Sequence, residues 1–108
     1  MKTRRSKACD ISPAVKKRVW ERDGGRCVIC GNAVNVMPNA HYIPRSQGGL
    51  GIEENVVTLC TNFTKLKCHS RYDNSTEREA LGEKIKTYLQ EQHPNWDEQN
   101  LYYRKGNT

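Results

Sequence analysis

The sequence predicts an α+β domain: a two-stranded hairpin and a following helix, a ββα core, held by a four-cysteine structural zinc site and flanked by further helices. Three observations carry that expectation. The chain has 108 residues, of which 35% are hydrophobic and 7% aromatic, so one domain with a modest core is expected and a structural metal is a natural supplement. Four of the five cysteines fall into two pairs, Cys27/Cys30 and Cys60/Cys68, as when two turns supply a tetrahedral site. Between the pairs lie two β-forming runs, and a helical one begins at the last cysteine.

In chain order, residues 1–11 are basic and without periodicity, which predicts a mobile basic arm, with Cys9 a free thiol without a role. Residues 12–108 then form a single domain. Ser12 as N-cap, Pro13 at the first helical position and Val15/Val19 at four-residue spacing predict a helix over 13–23, ended by Gly24-Gly25. Cys27-Val28-Ile29-Cys30-Gly31 is a knuckle-type turn, closed by a glycine able to adopt positive φ. Residues 40–43 and 55–60 read as strands, the second through Val56, Val57, Thr58 and Leu59. The run 44–54 between them is too long for a tight hairpin and reads as a packed loop. A short helix is expected to begin near Cys68. Thr76 with Glu79 predicts a capping box for a C-terminal helix over about 76–93, with Leu81, Ile85, Tyr88 and Leu89 on one face and Pro94 as its stop. The tail carries Trp96, Leu101, Tyr102 and Tyr103 and is expected to fold back on the domain.

Charge narrows the partner. Lys and Arg number 18 against 12 Asp and Glu, a net charge of +6, and half of the basic residues, from Lys2 to Arg26, precede Cys27. A polyanion such as nucleic acid is the expected partner. No secretory signal and no run of transmembrane length is evident, so the expected compartment is a reducing cytoplasm without a membrane partner. That compartment favours metal ligation over disulfides for the cysteines.

Cys27, Cys30, Cys60 and Cys68 are the expected zinc ligands, and the seven residues between the second pair read as an insertion bulging from its knuckle. His69 and Asp73, four apart, share one helical face and can chelate one hard or borderline divalent cation. With His41 approaching from the first strand, these groups can meet at a single phosphate. Neutral His41 would then accept a proton from an attacking water, and the cation would stabilise charge on the phosphate and the departing 3′ oxygen. Arg45, Lys65, Lys67 and Arg71 are expected to hold the DNA backbone. The plainer readings make His69 a support for the adjacent zinc ligand and Asp73 a cap for a helix near Ser75, and assign His93 no function.

Cys27-x-x-Cys30, His41-Tyr-Ile-Pro44-Arg-Ser-Gln-Gly48-Gly49, Glu54-Asn55-Val-Val-Thr-Leu-Cys60 and Cys68-His69 with Asp73 stand in the order of a known family. Residues 16–74 resemble the HNH endonucleases, particularly the short, zinc-stapled kind found in phages. The resemblance implies a ββα-metal (His-Me finger) core over about residues 40–74 and metal-dependent hydrolysis of DNA phosphodiester bonds, nicking or cutting with low sequence preference. By position it makes His41 the general base, Asn55 the residue that braces the loop and orients the base, and His69 a ligand of the catalytic cation (Mg2+, Mn2+ or Ni2+), with Asp73 a further ligand. It also implies a role in phage DNA processing or packaging, beside the terminase or other packaging proteins. Two features depart from the pattern: the inserted 61–67 loop, which either touches DNA through Lys65 and Lys67 or is neutral, and Ala40, where the family has Asp or His before the base. Asp73 with waters, or Asn39 or Glu53, is then expected to complete the coordination, or the cation is held weakly. The alternative function is a catalytically weak or inactive zinc-stapled nucleic-acid-binding module.

Overall fold

The computed structural model describes residues 3–104. Its elements run α1 (Arg4–Cys9), α2 (Pro13–Asp23), β1 (Val36–His41), β2 (Val56–Cys60), α3 (Cys68–Asn74) and α4 (Arg78–Gln92), with 3-10 turns at Arg45–Gln47 and Glu98–Leu101. Strands β1 and β2 pair antiparallel in one two-stranded sheet, so the fold is α+β as predicted.

Every position of β2 is buried, and this continuous burial explains the layering. A strand with one wet face would alternate, whereas β2 is covered on both faces. Val56 packs with Val15 and Val19 of α2 on one face, while Val57 and Leu59 join Leu81, Ile85 and Leu89 of α4 on the other. The helical stripe read from the C-terminal sequence is therefore the lid of the main core.

Helix α2 starts and stops where its sequence says. Ser12 Oγ accepts the Val15 N–H at 3.2 Å, and Gly24 takes a left-handed φ of 66° at the C-cap. Its last residue, Asp23, has a fully buried carboxylate that accepts from Arg22 Nε (2.8 Å), the Thr58 N–H (2.8 Å) and the Tyr88 hydroxyl (2.6 Å). This ion pair joins α2, β2 and α4, so Arg22 serves the interior and not the basic surface.

Three elements differ from expectation. Strand β1 begins at Val36 and ends at His41, where the sequence predicted 40–43. Its register, Met37 opposite Leu59 and Ala40 opposite Val57, sets Pro38 and Asn39 against Thr58 alone. That is a β-bulge, and Pro38, without an N–H to contribute to a ladder, suits it. The capping box of α4 does not form: the helix starts at Arg78 with Glu77 as an N-cap that makes no side-chain bond, and Ser75 Oγ accepts the Glu77 N–H at 3.1 Å. The third difference is the N-terminal segment. Residues 3–9 are not a mobile arm: Thr3 caps α1, Cys9 is 2% exposed, and the helix is docked. Ala8 O accepts the Gly51 N–H (3.0 Å), Arg5 Nη2 donates to Ser46 O (2.9 Å), and Asp10 pairs with Arg45 (2.8 Å). These are polar contacts to the 44–51 loop, so α1 needed no apolar periodicity to be held there. Lys2 of the expected arm and residues 105–108 of the tail lie outside the described residues.

The tail folds back as predicted. Trp96 Nε1 donates to Glu54 O at 2.8 Å, Leu101 is buried, and Leu50 N–H and Tyr103 N–H bond across to Leu101 O and Gly48 O at 2.8 and 2.7 Å. Among the described residues, no helix is long and apolar enough to cross a membrane.

Candidate metal centre and the adjoining histidine cavity

The four cysteines arrive from two chain reversals. In the first, Gly31 takes a φ of 78°, and the Gly31 N–H bonds to Cys27 O at 2.9 Å, folding Cys30 back on Cys27. The Val28 N–H bonds to Thr58 O at 3.0 Å and fixes this knuckle to β2. In the second, Cys60 ends β2 and Cys68 opens α3, and the Cys68 N–H donates to Cys60 Sγ at 3.1 Å. The four sulfurs of Cys27, Cys30, Cys60 and Cys68 all lie within 4.8 Å of one another, with Cys30 and Cys60 3.9 Å apart. Thiolates about 2.3 Å from a shared tetrahedral ion stand about 3.8 Å apart, so the cluster can hold a structural metal such as zinc. Burial raises the Cys68 and Cys30 thiols. Burial also acts to raise Cys60, but hydrogen bonding from Thr64 and from Cys68 outweighs it and brings that thiol down to about 7. A bound cation would favour the thiolate form of all four and offset the cost of burying their charge.

The second site lies on the other side of α3. His41, Asn39, Arg45, His69, Asp73 and Arg78 line a cavity of about 580 Å³. His41 ends β1 and its Nε2 stands 2.8 Å from Cys9 O at the end of α1. A carbonyl only accepts, so Nε2 carries the proton and Nδ1 holds the lone pair in the neutral ring. Burial lowers the His41 pKa, and nearby Arg45 pushes the same way, against the Cys9 hydrogen bond. The net direction favours the neutral ring. On α3, His69 Nε2 and Asp73 Oδ2 lie 3.0 Å apart, sharing a helical face as the four-residue spacing predicts.

Other predicted residues take distinct places. Asn55 is fully buried and its amide bonds not to the His41 ring but to the loop after it: Oδ1 accepts the Ile43 N–H (2.7 Å), and Nδ2 donates to Ile43 O (3.1 Å) and Leu50 O (2.8 Å). The ring is oriented instead by the Cys9 carbonyl, which sequence reasoning missed because the contact spans 32 residues. Arg45 lines the cavity while paired with Asp10, and Arg71 is paired with Glu77 away from it. Lys65 and Lys67 are exposed on the 61–67 loop and do not line this cavity.

Ala40 is 1% exposed and belongs to the core with Val57, Cys68 and Tyr72, so its side chain points away from the cavity. Of the two substitutes expected for it, Asn39 lines the cavity and Glu53 does not; Glu53 pairs with Arg18 at 3.6 Å. Asn39 Oδ1 is buried without a hydrogen-bond partner. Among the described residues, only the four cysteines form a close group of three or more His, Cys, Asp or Glu side chains. Neither a family model nor a curated protein sequence matches this chain.

Proposed function

We propose that this protein is a metal-dependent endonuclease of the HNH type, hydrolysing DNA phosphodiester bonds with His41 as general base, on a ββα core stapled by zinc at Cys27, Cys30, Cys60 and Cys68. The observation that carries the reading is the His41 ring. Its Nε2 proton is committed to a carbonyl, it shares a polar cavity with an aligned His69/Asp73 pair, and its burial favours the neutral form. A general base needs that combination: a free lone pair, a fixed orientation and a pKa near or below working pH.

His69 and Asp73 would hold a divalent cation such as Mg2+, Mn2+ or Ni2+; Asn39 also lines the cavity, and its buried Oδ1 is an acceptor without a hydrogen-bond partner. When bound, such an ion supplies charge stabilisation at the phosphate and at the departing oxygen. The chain's own residues do the rest. His41 Nδ1 takes the proton of the attacking water. Cys9 O holds the imidazole tautomer and shares the positive charge the ring acquires. Arg45 and Arg78 supply positive charge at the phosphate. Asn55 keeps the loop after His41 rigid, so the base stays in place without contacting substrate.

The resemblance of residues 16–74 to short phage enzymes extends the proposal to phage DNA processing or packaging, with the terminase or another packaging protein as partner. The runner-up is an inactive zinc-stapled nucleic-acid-binding module, favoured by the core-facing Ala40. Nicking of supercoiled plasmid across magnesium, manganese and nickel separates the two. The nuclease reading expects cleavage by the parent and none by His41→Ala; intact plasmid in every metal, with zinc and DNA still bound, supports the module.

A further inference from the structure

Phe63 is the most exposed large hydrophobic side chain among the described residues, at 87%. Slack chain does not account for it. The 61–67 loop is tied at one end by the Thr61 N–H and hydroxyl, both donating to Asn35 O (2.9 and 3.0 Å). Inside it, Thr64 Oγ1 donates to Thr61 O (2.8 Å) and accepts the Lys67 N–H (3.0 Å), and Thr61 Oγ1 accepts the Phe63 N–H (3.4 Å). Its two neighbours in sequence are the metal-cluster residues Cys60 and Cys68. An aromatic ring is thus held in water by an ordered, self-bonded loop and forgoes the hydrophobic gain that burial would bring.

The ring's position connects it to the site above. Phe63 lines a groove of about 330 Å³ with Thr61, His69 and Asp73, and His69 and Asp73 also border the His41 cavity. The α3 pair is the shared wall of the two. Lys65 and Lys67, both exposed, lie on the same loop as the ring. A flat apolar face on a loop that carries two cations, next to a polar cavity with room for a phosphate and its sugar, matches a nucleotide strand: backbone to the charges, base to the ring.

We propose that Phe63 is a stacking platform for an unpaired base, and that the substrate class is single-stranded or locally unpaired DNA, with the phosphate next to that base at the His41/His69/Asp73 cavity. The phosphate placement rests on the endonuclease reading; the stacking does not require cleavage. The choice of unpaired over duplex DNA follows from the ring. Bases in a duplex present no free face, and wedging a ring between them costs about a few kcal/mol of unstacking, whereas an unpaired base presents its face at once.

Full-length, zinc-loaded His41→Ala protein in calcium tests this without turnover. Its affinity for a short fluorescein-labelled oligothymidylate and for a duplex of equal length is read by anisotropy, with and without a second change at Phe63. Phe63→Ala is expected to weaken the oligothymidylate complex about 5- to 150-fold, the range of one lost base–aromatic stack, and to leave the duplex complex little changed. Phe63→Tyr keeps the affinity, and Phe63→Leu, which keeps bulk but not the π-face, does not. Because the side chain is exposed, all three should melt with the parent. Unchanged oligothymidylate affinity in Phe63→Ala, or equal losses on both ligands, overturns the proposal. A parent that cuts nothing yet binds single strands through Phe63 removes the nuclease and keeps the platform; a parent that nicks plasmid with no dependence on Phe63 for single-strand binding does the reverse.

Discussion

Gly51→Ala is the sharpest probe of how the candidate base is held. Gly51 does not need a left-handed backbone; it needs the absence of a side chain. A Cβ there would lie 2.0 Å from Asp10 O and 2.5 Å from Asp10 C, where ordinary contact begins at 3.4 Å. The 51 backbone and the end of α1 must therefore part by roughly 1.4 Å, the difference between those two contact distances. The bonds in the way are Gly51 N–H to Ala8 O at 3.0 Å and His41 Nε2 to Cys9 O at 2.8 Å. Stretching either by that amount takes it beyond hydrogen-bond range. Overpacking costs about 1–3 kcal/mol and one lost hydrogen bond about 1 kcal/mol. In a domain near 100 residues each kcal/mol moves Tm by about 4–8 °C, so a fall of about 8–30 °C is expected. Calorimetry reads that fall, and side-chain 15N shifts of His41 read the tautomer, which should change from Nε2–H to a mixture. A parent-like Tm with His41 still in the Nε2–H form would refute the docking of α1 and the positioning of the ring by Cys9.

Chelation of the metal, or Cys30→Ser, should unfold the domain, since structural zinc contributes about 10 kcal/mol or more in small domains and native stability is about 5–15 kcal/mol; an unmoved thermal transition in Cys30→Ser excludes a structural role for the cluster. Asn55→Ala leaves the Ile43 N–H and the carbonyls of Ile43 and Leu50 without this partner, and at about 1–3 kcal/mol per unsatisfied group it should lower stability by several kcal/mol in urea titration. Ala40→Asp should lower Tm and not raise cleavage, because position 40 faces the core and a carboxylate there is desolvated; a parent-like melt would show that the side chain escapes to the cavity. The pH dependence follows from the lowered His41 value: if the neutral ring is the base, as proposed, kcat/KM should fall as pH drops through a midpoint below about 6.5. The unfolded chain binds that proton more readily than the fold does, so the stability held above about pH 6.5 is also lost on acidification. An acid limb centred above pH 7 would assign the base to another group.

Much of this protein is written locally. Ser12, Pro13 and Gly24 bound α2 because caps depend on residues within one turn of the helix end. The spacing of Cys27 and Cys30, and the positive φ available to Gly31, set one half of the metal cluster by the same local logic. The stripe Leu81, Ile85 and Leu89 identified the face that α4 buries, since helical period alone decides which side chains align. Cys60 and Cys68 were legible as the second pair, and the 3.0 Å approach of His69 to Asp73 follows from their spacing on α3.

What the chain order concealed is what packing across many residues decides. The bulge at Pro38 and Asn39 depends on the register against β2, and it sends Ala40 to the core. The N-terminal segment looked unstructured because its basic residues form no apolar stripe, yet hydrogen bonds to Ser46 and Gly51 and the Asp10–Arg45 pair dock it on a loop far along the chain. By itself the sequence determined the residue types, the cysteine set and the pairing of His69 with Asp73, because these depend on composition and short spacing. Only the tertiary structure decided that a carbonyl of the first helix holds the His41 ring and that Phe63 stands exposed beside His69, because no local rule specifies what a distant backbone oxygen or an inserted loop will meet.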